Sequence, residues 1–365
     1  MNRKVVVVGG GYGGSLIAKA LDGEADVVLV DPRESFVNAA GSLRALTTPD
    51  WAANVFFPFD TLLERGRVVR DHAVSVDPKG VALASGGRVD ADYLVLATGS
   101  GYAYPAKPKP ASTSDAEALD DLRKTHEELS GADRVLILGA GAVGVELAGE
   151  IKDVWPDKHV VVVDPSDRLV PGLLPEVRDD LRRQLDALGV DLRLGTTLVS
   201  PPPTGAGEAG RFTVTTDGGD VIVADIWFRA FGIHVNSGYL ADGRLTPLTA
   251  RAAVPVTERL NVVGYDHVYA LGDLTDVAEP KTASCAMQHA DVIARNISAQ
   301  FAGGQPTATY APAPVRGILL PLGPRGGTGQ LPLPCGVTAV TADTVSQRKG
   351  LTLFTERFAE RFDRG

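Results

Sequence analysis

"VVVVGGGYGGSLIAKALDGEADVVLVD", residues 5–31, reads as a strand, a glycine turn, a helix and a second strand in that order. Val5–Val8 is a short β-branched run, which suits a buried strand. Gly9, Gly11 and Gly14 then fit the spacing GxGxxG, and Leu16, Ile17, Ala20 and Leu21 recur at helical spacing. The second apolar run ends in Asp31, at the interval of about 20 residues that a dinucleotide fold places before its ribose-binding acid. Each part has a physical task. The first glycine permits the tight turn, the second lets a pyrophosphate approach the backbone, and the third lets helix pack on strand. The helix N-terminus faces the phosphates, and the acid accepts from a ribose hydroxyl. The agreement of all five parts makes this a dinucleotide site, where a lone GxGxxG would not.

The unit returns. "RVLILGAGAVGVELAGEI", residues 134–151, repeats strand, glycines and helix with Gly139, Gly141 and Gly144, and "HVVVVD" ends in Asp164. Two whole fingerprints in one chain are a repeat of function. The bulk composition agrees with a compact α/β chain of more than one domain: 365 residues, 44% hydrophobic, 41 glycines and 24 prolines. A formal net charge of −9 disfavours nucleic acid as a partner. The two cysteines, Cys285 and Cys335, stand far apart, which argues against a disulfide framework or a cysteine-based metal site, so no metal is expected. No apolar run is long enough to span a membrane. A reducing cytoplasm is the expected compartment, with peripheral contact at a membrane surface as the alternative.

The remaining segments sort around the two units. Residues 91–113, "ADYLVLATGSGYAYPAKPKPAST", are a strand, a glycine turn and a Pro/Lys-rich connector that suits a crossing between domains. Residues 226–238, "IWFRAFGIHVNSG", suit the return. Residues 260–301 read as a strand, Gly272-Asp273, a loop and a long helix, with Ala286, Ala290, Ile293, Ile297 and Phe301 at helical spacing. The boundaries expected are 1–110 and 233–306 for the first dinucleotide domain, 111–232 for the second, and 307–365 for a short α+β C-terminal segment.

In this order, "GGGYGG", "LATGS", "GAGAVGVELAGE" and "VYALGD" resemble FAD-dependent pyridine-nucleotide oxidoreductases over nearly the whole chain. "LVDPRESF", "SLRA" and "GDLTDVAEPKTA" are similar to the apoptosis-inducing-factor-like family, in its ferroptosis suppressor branch, with type II NADH dehydrogenases as relatives. The resemblance implies two Rossmann-like domains of the two-dinucleotide flavoprotein type, the first turn holding FAD, with Tyr12 and Gly13 in it, and the second NAD(P)H. It implies that Asp273 binds the ribityl side of FAD, that Thr98 and Gly99 lie beside it, that the backbone of Val74 meets the adenine, and that Arg44 lies near the cofactor. It places Lys281 and Thr282 at a helix start pointing at the flavin pyrimidine, where a helix N-terminus stabilises negative charge. Glu146 matches a family glutamate near the nicotinamide, so Glu146 and Lys281 are the catalytic candidates; an exposed first-turn acid is the alternative for Glu146. Asp164 favours NADH, since its charge repels a 2′-phosphate, but Arg168 nearby keeps NADPH open.

Two departures bear on the acceptor. The returning turn of the family reads threonine-glycine, and here it is Phe231-Gly232, whose bulk is expected to narrow the nicotinamide approach. The stretch 30–46, "VDPRESFVNAAGSLRAL", lies where dithiol members of the group carry redox cysteines and has none. Electrons are therefore expected to leave for a small diffusible acceptor, a quinone before others, with small residues at 39–41 leaving room for it. A biosynthetic reductase or oxidase and a slow NADH-sensing flavoprotein are the alternatives. In the tail, Leu351, Phe354, Phe358 and Phe362 form one stripe, either docked on the core or facing a membrane surface or an apolar substrate. Lys349 and Phe354 are the substrate-site candidates there, with Phe231. The Asn at position 2 leaves no myristoylation glycine. Monomer and homodimer are both open.

Overall fold

The structure is a computed structural model and describes residues 3–313, 317–333 and 336–363. The four valines of the first strand sort by parity. Val5 and Val7 face the helices Tyr12–Leu21 and Ala283–Phe301, whereas Val6 and Val8 face a three-stranded antiparallel sheet, Ala73–Asp77, Gly80–Leu83 and Arg88–Asp90. A strand covered on both faces has no place for alternating polar residues, which is why the run is continuous. Around it forms a five-stranded parallel sheet in the order Val268–Ala270, Tyr93–Leu96, Lys4–Val8, Asp26–Asp31, Arg67–Arg70.

The second unit repeats this logic. Its parallel sheet runs Val190–Leu194, His159–Asp164, Arg134–Leu138, Ile226–Arg229. Val135 and Ile137 join the large core under the helices, and Leu136 faces the hairpin Phe212–Thr215 and Val221–Ala224. The two sheets are joined through the antiparallel pair Ser100–Gly101 and His234–Val235, so both connectors cross at one place. The connector then feeds the helix Asp115–Gly131, whose start is fixed by a reciprocal Ser114–Glu117 capping box. A C-terminal antiparallel sheet, Ile318–Leu322, Gly326–Leu333 and Gly336–Val340, packs on the helix Ala142–Val154 of the second unit.

The tail departs from a single phenylalanine stripe. Only Thr355–Arg361 is helical, because Leu353 and Phe354 both adopt left-handed φ, +50° and +65°. This turn takes Leu351 out of register, and Leu351 is half exposed. Phe358 and Phe362 are buried against Tyr12, Phe36, Phe57 and Phe59, with the Phe36 and Phe362 rings stacked at 5.4 Å. Phe358 and Phe362 are thus docked on the chain's own core, as the first of the two readings of the stripe expects, while Leu351 is not. No helix among the described residues is long and apolar enough to cross a bilayer.

Candidate functional site

The two glycine turns match atom by atom. Gly9 N–H donates to Val30 O and Gly139 N–H to Val163 O, both at 2.8 Å. Gly9 and Gly139 have φ of +102° and +114°, and a Cβ on either would stand 2.6 Å from a backbone oxygen, of Ala97 and Ala230 respectively. A Cβ on Gly14 would meet Gly9 O at 1.8 Å, and one on Gly144 would meet Gly139 O at 1.8 Å. Gly11 and Gly141, by contrast, have nothing within 4 Å of that position. The first and third glycines are therefore required by contact within the protein. The middle one leaves its side open at the start of a helix, as a pyrophosphate cradle requires.

The acids are aimed by main-chain donors. Asp31 Oδ2 accepts from Gly10 N–H at 2.6 Å and Oδ1 from Arg33 N–H at 2.8 Å. Asp164 repeats both contacts, with Ala140 N–H at 2.6 Å and Ser166 N–H at 2.8 Å. Burial pushes the Asp31 carboxyl above its usual range, and the Gly10 and Arg33 N–H groups oppose it.

The first turn opens on a cleft of about 640 Å³. Gly9, Gly11, Tyr12, Gly13 and Asp31 line it, and so do Thr98, Gly99, Asp273, Lys281 and Thr282. Gly14 lies behind the turn, against Gly9. Thr282 caps the helix Ala283–Phe301, and Lys281 Nζ donates to Thr275 O at 2.8 Å. A helix N-terminus, a glycine cradle, a ribose-aimed acid and a second acid on one cleft fit the donor and acceptor pattern of FAD.

Among the lining residues that the sequence does not single out are Arg33, Ser100 and Lys107. Ser100 Oγ donates to Asp273 Oδ2 at 2.5 Å, and Lys107 Nζ donates to Ser100 O. Burial pushes the Lys107 amine down, and Asp273 opposes this. Arg33 holds the connector through Ser112 O and Lys109 O. Lys107 sits in "PAKPKP", whose prolines signal only a loop; nothing local places it beside Asp273.

Other expected residues lie elsewhere. Val74 is 52% exposed and off the cleft wall, which Ala73 of that strand and His72 just before it supply. Arg44 does not line the cleft. Its guanidinium pairs with both oxygens of Glu150, at 2.7 and 3.1 Å, in a buried ion pair, and also donates to Gly350 O and Leu351 O. One helical turn earlier, Glu146 accepts from Lys349 Nζ at 2.8 Å, and Lys349 also donates to Leu319 O. Glu146 is thus a buried acid and not an exposed one; burial raises its carboxyl and Lys349 opposes that. Phe354 is half-buried beside the aromatic cluster. Phe231 is 48% exposed, with the Arg229 guanidinium 4.7 Å above its ring. At Gly232, φ is +89° and a Cβ would meet Arg229 Nη2 at 2.6 Å, so this turn is crowded by arginine as well as phenylalanine.

The cysteine-free stretch is filled. Asn38, fully buried, accepts from Tyr12 O–H at 2.9 Å and donates to Leu353 O at 2.7 Å. Ala40 N–H donates to the Tyr12 hydroxyl at 3.1 Å. Ala39 lines the cleft, but Gly41 does not leave room: a Cβ there would meet Val55 at 2.7 Å and Trp51 at 2.9 Å. Cys285 is free, with Sγ 3.1 Å from Thr282 Oγ1. Cys335 and Asn2 lie outside the described residues.

A family model described as pyridine nucleotide-disulphide oxidoreductase matches residues 3–290. The chain is 29% identical to apoptosis-inducing factor homolog B of Dictyostelium discoideum, covering 98% of this chain and 96% of that protein. It is 32% identical to ferroptosis suppressor protein 1 of Taeniopygia guttata, covering 90% of this chain and 88% of that one. The solved sulfide:quinone oxidoreductase of Aquifex aeolicus superposes with a TM-score of 0.77 at 17% identity, over 99% of this chain and 92% of that one, a likeness of fold.

Proposed function

The chain belongs to the pyridine nucleotide-disulphide oxidoreductase family, and from that premise we propose that it passes electrons from NADH by way of FAD to a small diffusible acceptor, a quinone, without a redox disulfide of its own. It is an FAD- and NAD(P)H-using oxidoreductase; the acceptor and the residue roles are the proposal. FAD, when bound, supplies the redox chemistry. The protein's part is to bind, orient and balance charge.

In this reading the open side of Gly11 and the helix start at Tyr12 take the pyrophosphate, and Asp31 and Asp273 accept from sugar and ribityl hydroxyls. Thr98, Gly99 and Lys107 line the same cleft. Lys281 and the helix start at Thr282 put positive potential where negative charge develops. Gly139, Gly141, Gly144 and Asp164 take the nicotinamide cofactor, and the Asp164 carboxylate favours NADH by repelling a 2′-phosphate. Glu146, held by Lys349, positions the nicotinamide end. Glu146→Gln is then expected to lower kcat/KM for NADH about tenfold, roughly 1.4 kcal/mol, with FAD affinity unchanged. Steady-state kinetics and an FAD titration check this; an unchanged kcat/KM leaves the Glu146–Lys349 pair a purely structural one.

The observation that carries the acceptor proposal is the filled place at Asn38. Where a dithiol would lie stands the relay Tyr12–Asn38–Leu353, and residues 30–46 carry no cysteine to pass electrons on. An acceptor panel on the purified holoprotein tests it, with quinones of several tail lengths, oxygen, ferricyanide and disulfides. Quinones are expected to give the fastest turnover, and faster turnover with any disulfide would overturn the proposal. The Arg229–Phe231 stack favours one second reading, a slow NADH-sensing flavoprotein. Phe231→Thr separates the two: a large gain in NADH-driven turnover supports the sensor.

A further inference from the structure

Beneath the cleft, on the side away from it, lies a buried polar chain that no role above absorbs. His289, on the long helix Ala283–Phe301, is 0% exposed. Its Nδ1 accepts from Gly272 N–H at 3.0 Å. That acceptance requires Nδ1 to be unprotonated and puts the ring hydrogen on Nε2. Nε2 stands 3.0 Å from Glu279 Oε1, off the line of a well-directed hydrogen bond. Glu279 Oε2 accepts from Tyr310 O–H at 2.5 Å, and the Tyr310 ring meets the His289 ring edge-on at 4.2 Å.

What His289 grips is the turn that presents Asp273. Gly272 has φ +65°, and a Cβ there would meet Ala286 Cβ at 2.9 Å, so the turn is pressed onto the helix. A buried backbone N–H must have a partner, and the imidazole is the one it has. We infer that His289 is a positioning residue for FAD: through Gly272 N–H it holds the Gly272–Asp273 turn in the cleft, and protonation of its ring releases that turn. The inference goes beyond the assignment of Asp273 by naming what fixes it and what frees it.

The sign follows from the surroundings. Burial lowers the imidazole to about 4, Glu279 and Asp273 raise it, and Lys281 lowers it. The Tyr310 ring also faces the imidazole, and its hydroxyl is pushed up by burial and then by Glu279. A histidine held below its ordinary 6.5 binds fewer protons folded than unfolded between those values. Its contribution is whole above about 6.5 and falls away as pH drops toward about 4. A protonated ring would point an Nδ1–H at Gly272 N–H, donor against donor.

The test uses holoprotein, with FAD release read by flavin fluorescence across pH. His289→Asn places an amide oxygen where Nδ1 stood and does not titrate; His289→Leu removes the acceptor. Relative to wild type, His289→Leu is expected to raise the FAD Kd about tenfold or more at neutral pH, and His289→Asn to stay within about threefold. Wild type is expected to release FAD progressively between about pH 6.5 and 4, and His289→Asn to lack that step. His289→Leu binding FAD as tightly as wild type would overturn the inference. So would a His289→Asn release profile that follows wild type, which decides the matter even if the leucine variant does not fold.

Discussion

Gly144→Ala is expected to cost on the order of 100-fold in kcat/KM for NADH while the purified protein keeps its FAD. The added Cβ would stand 1.8 Å from Gly139 O and 3.3 Å from the Ala230 side chain. The first contact is with backbone inside the same turn, so no side chain can yield. Either the helix Ala142–Val154 moves off its strand or the turn opens, and both move the N–H groups at the helix start by an ångström or more. Displacement of that size at a cofactor is what costs two orders of magnitude. The matching Gly14→Ala, with its own 1.8 Å contact to Gly9 O, is expected to do the reverse: FAD is lost, and NADH binding to the second unit persists. FAD content after gel filtration and NADH titration of each variant check the pair. Loss of FAD from Gly144→Ala with folding intact would mean that the two turns do not serve separate cofactors.

Arg44→Met is expected to destabilise the protein by about 3–5 kcal/mol. Arg44 and Glu150 have side chains only 6% and 5% exposed, and Glu150 would be left as an unpaired buried acid beside Glu146. The same guanidinium holds Gly350 O and Leu351 O, so the tail would lose an anchor as well. Replacing both partners, Arg44→Met with Glu150→Leu, is expected to restore most of the loss, because an apolar pair of similar volume has no charge to desolvate. Urea unfolding measures both. If the double variant regains stability but no longer retains FAD, then Arg44 acts on the cofactor despite standing off the cleft.

Much of the fold was legible because its signals are local. A β-branched run, three spaced glycines and a terminal acid each obey contacts within about thirty residues, and both units form as their spacing predicts. The site was less legible wherever a residue's role depends on a distant partner. Arg44 carries the same charge whether it faces a phosphate or Glu150, and only the packing of the two units decides. Lys107 is hidden in a proline-rich connector. Leu353 and Phe354 give no hint of left-handed φ, since neither side chain favours it; the amide of Asn38, from the other end of the chain, donates to the Leu353 carbonyl of that turn. The same residue explains why the cysteine-free stretch is neither empty nor idle.

Reducing equivalents enter from NADH and leave without a protein disulfide in the proposed function. Double-mixing stopped flow on the holoprotein and on Cys285→Ser tests it most directly, mixing first with NADH and then with a short-chain quinone while following flavin absorbance. Rapid bleaching by NADH, rapid recovery on quinone, and the same two rates in Cys285→Ser are expected. Sluggish bleaching by NADH, or a recovery that needs Cys285 or an added disulfide, would contradict it.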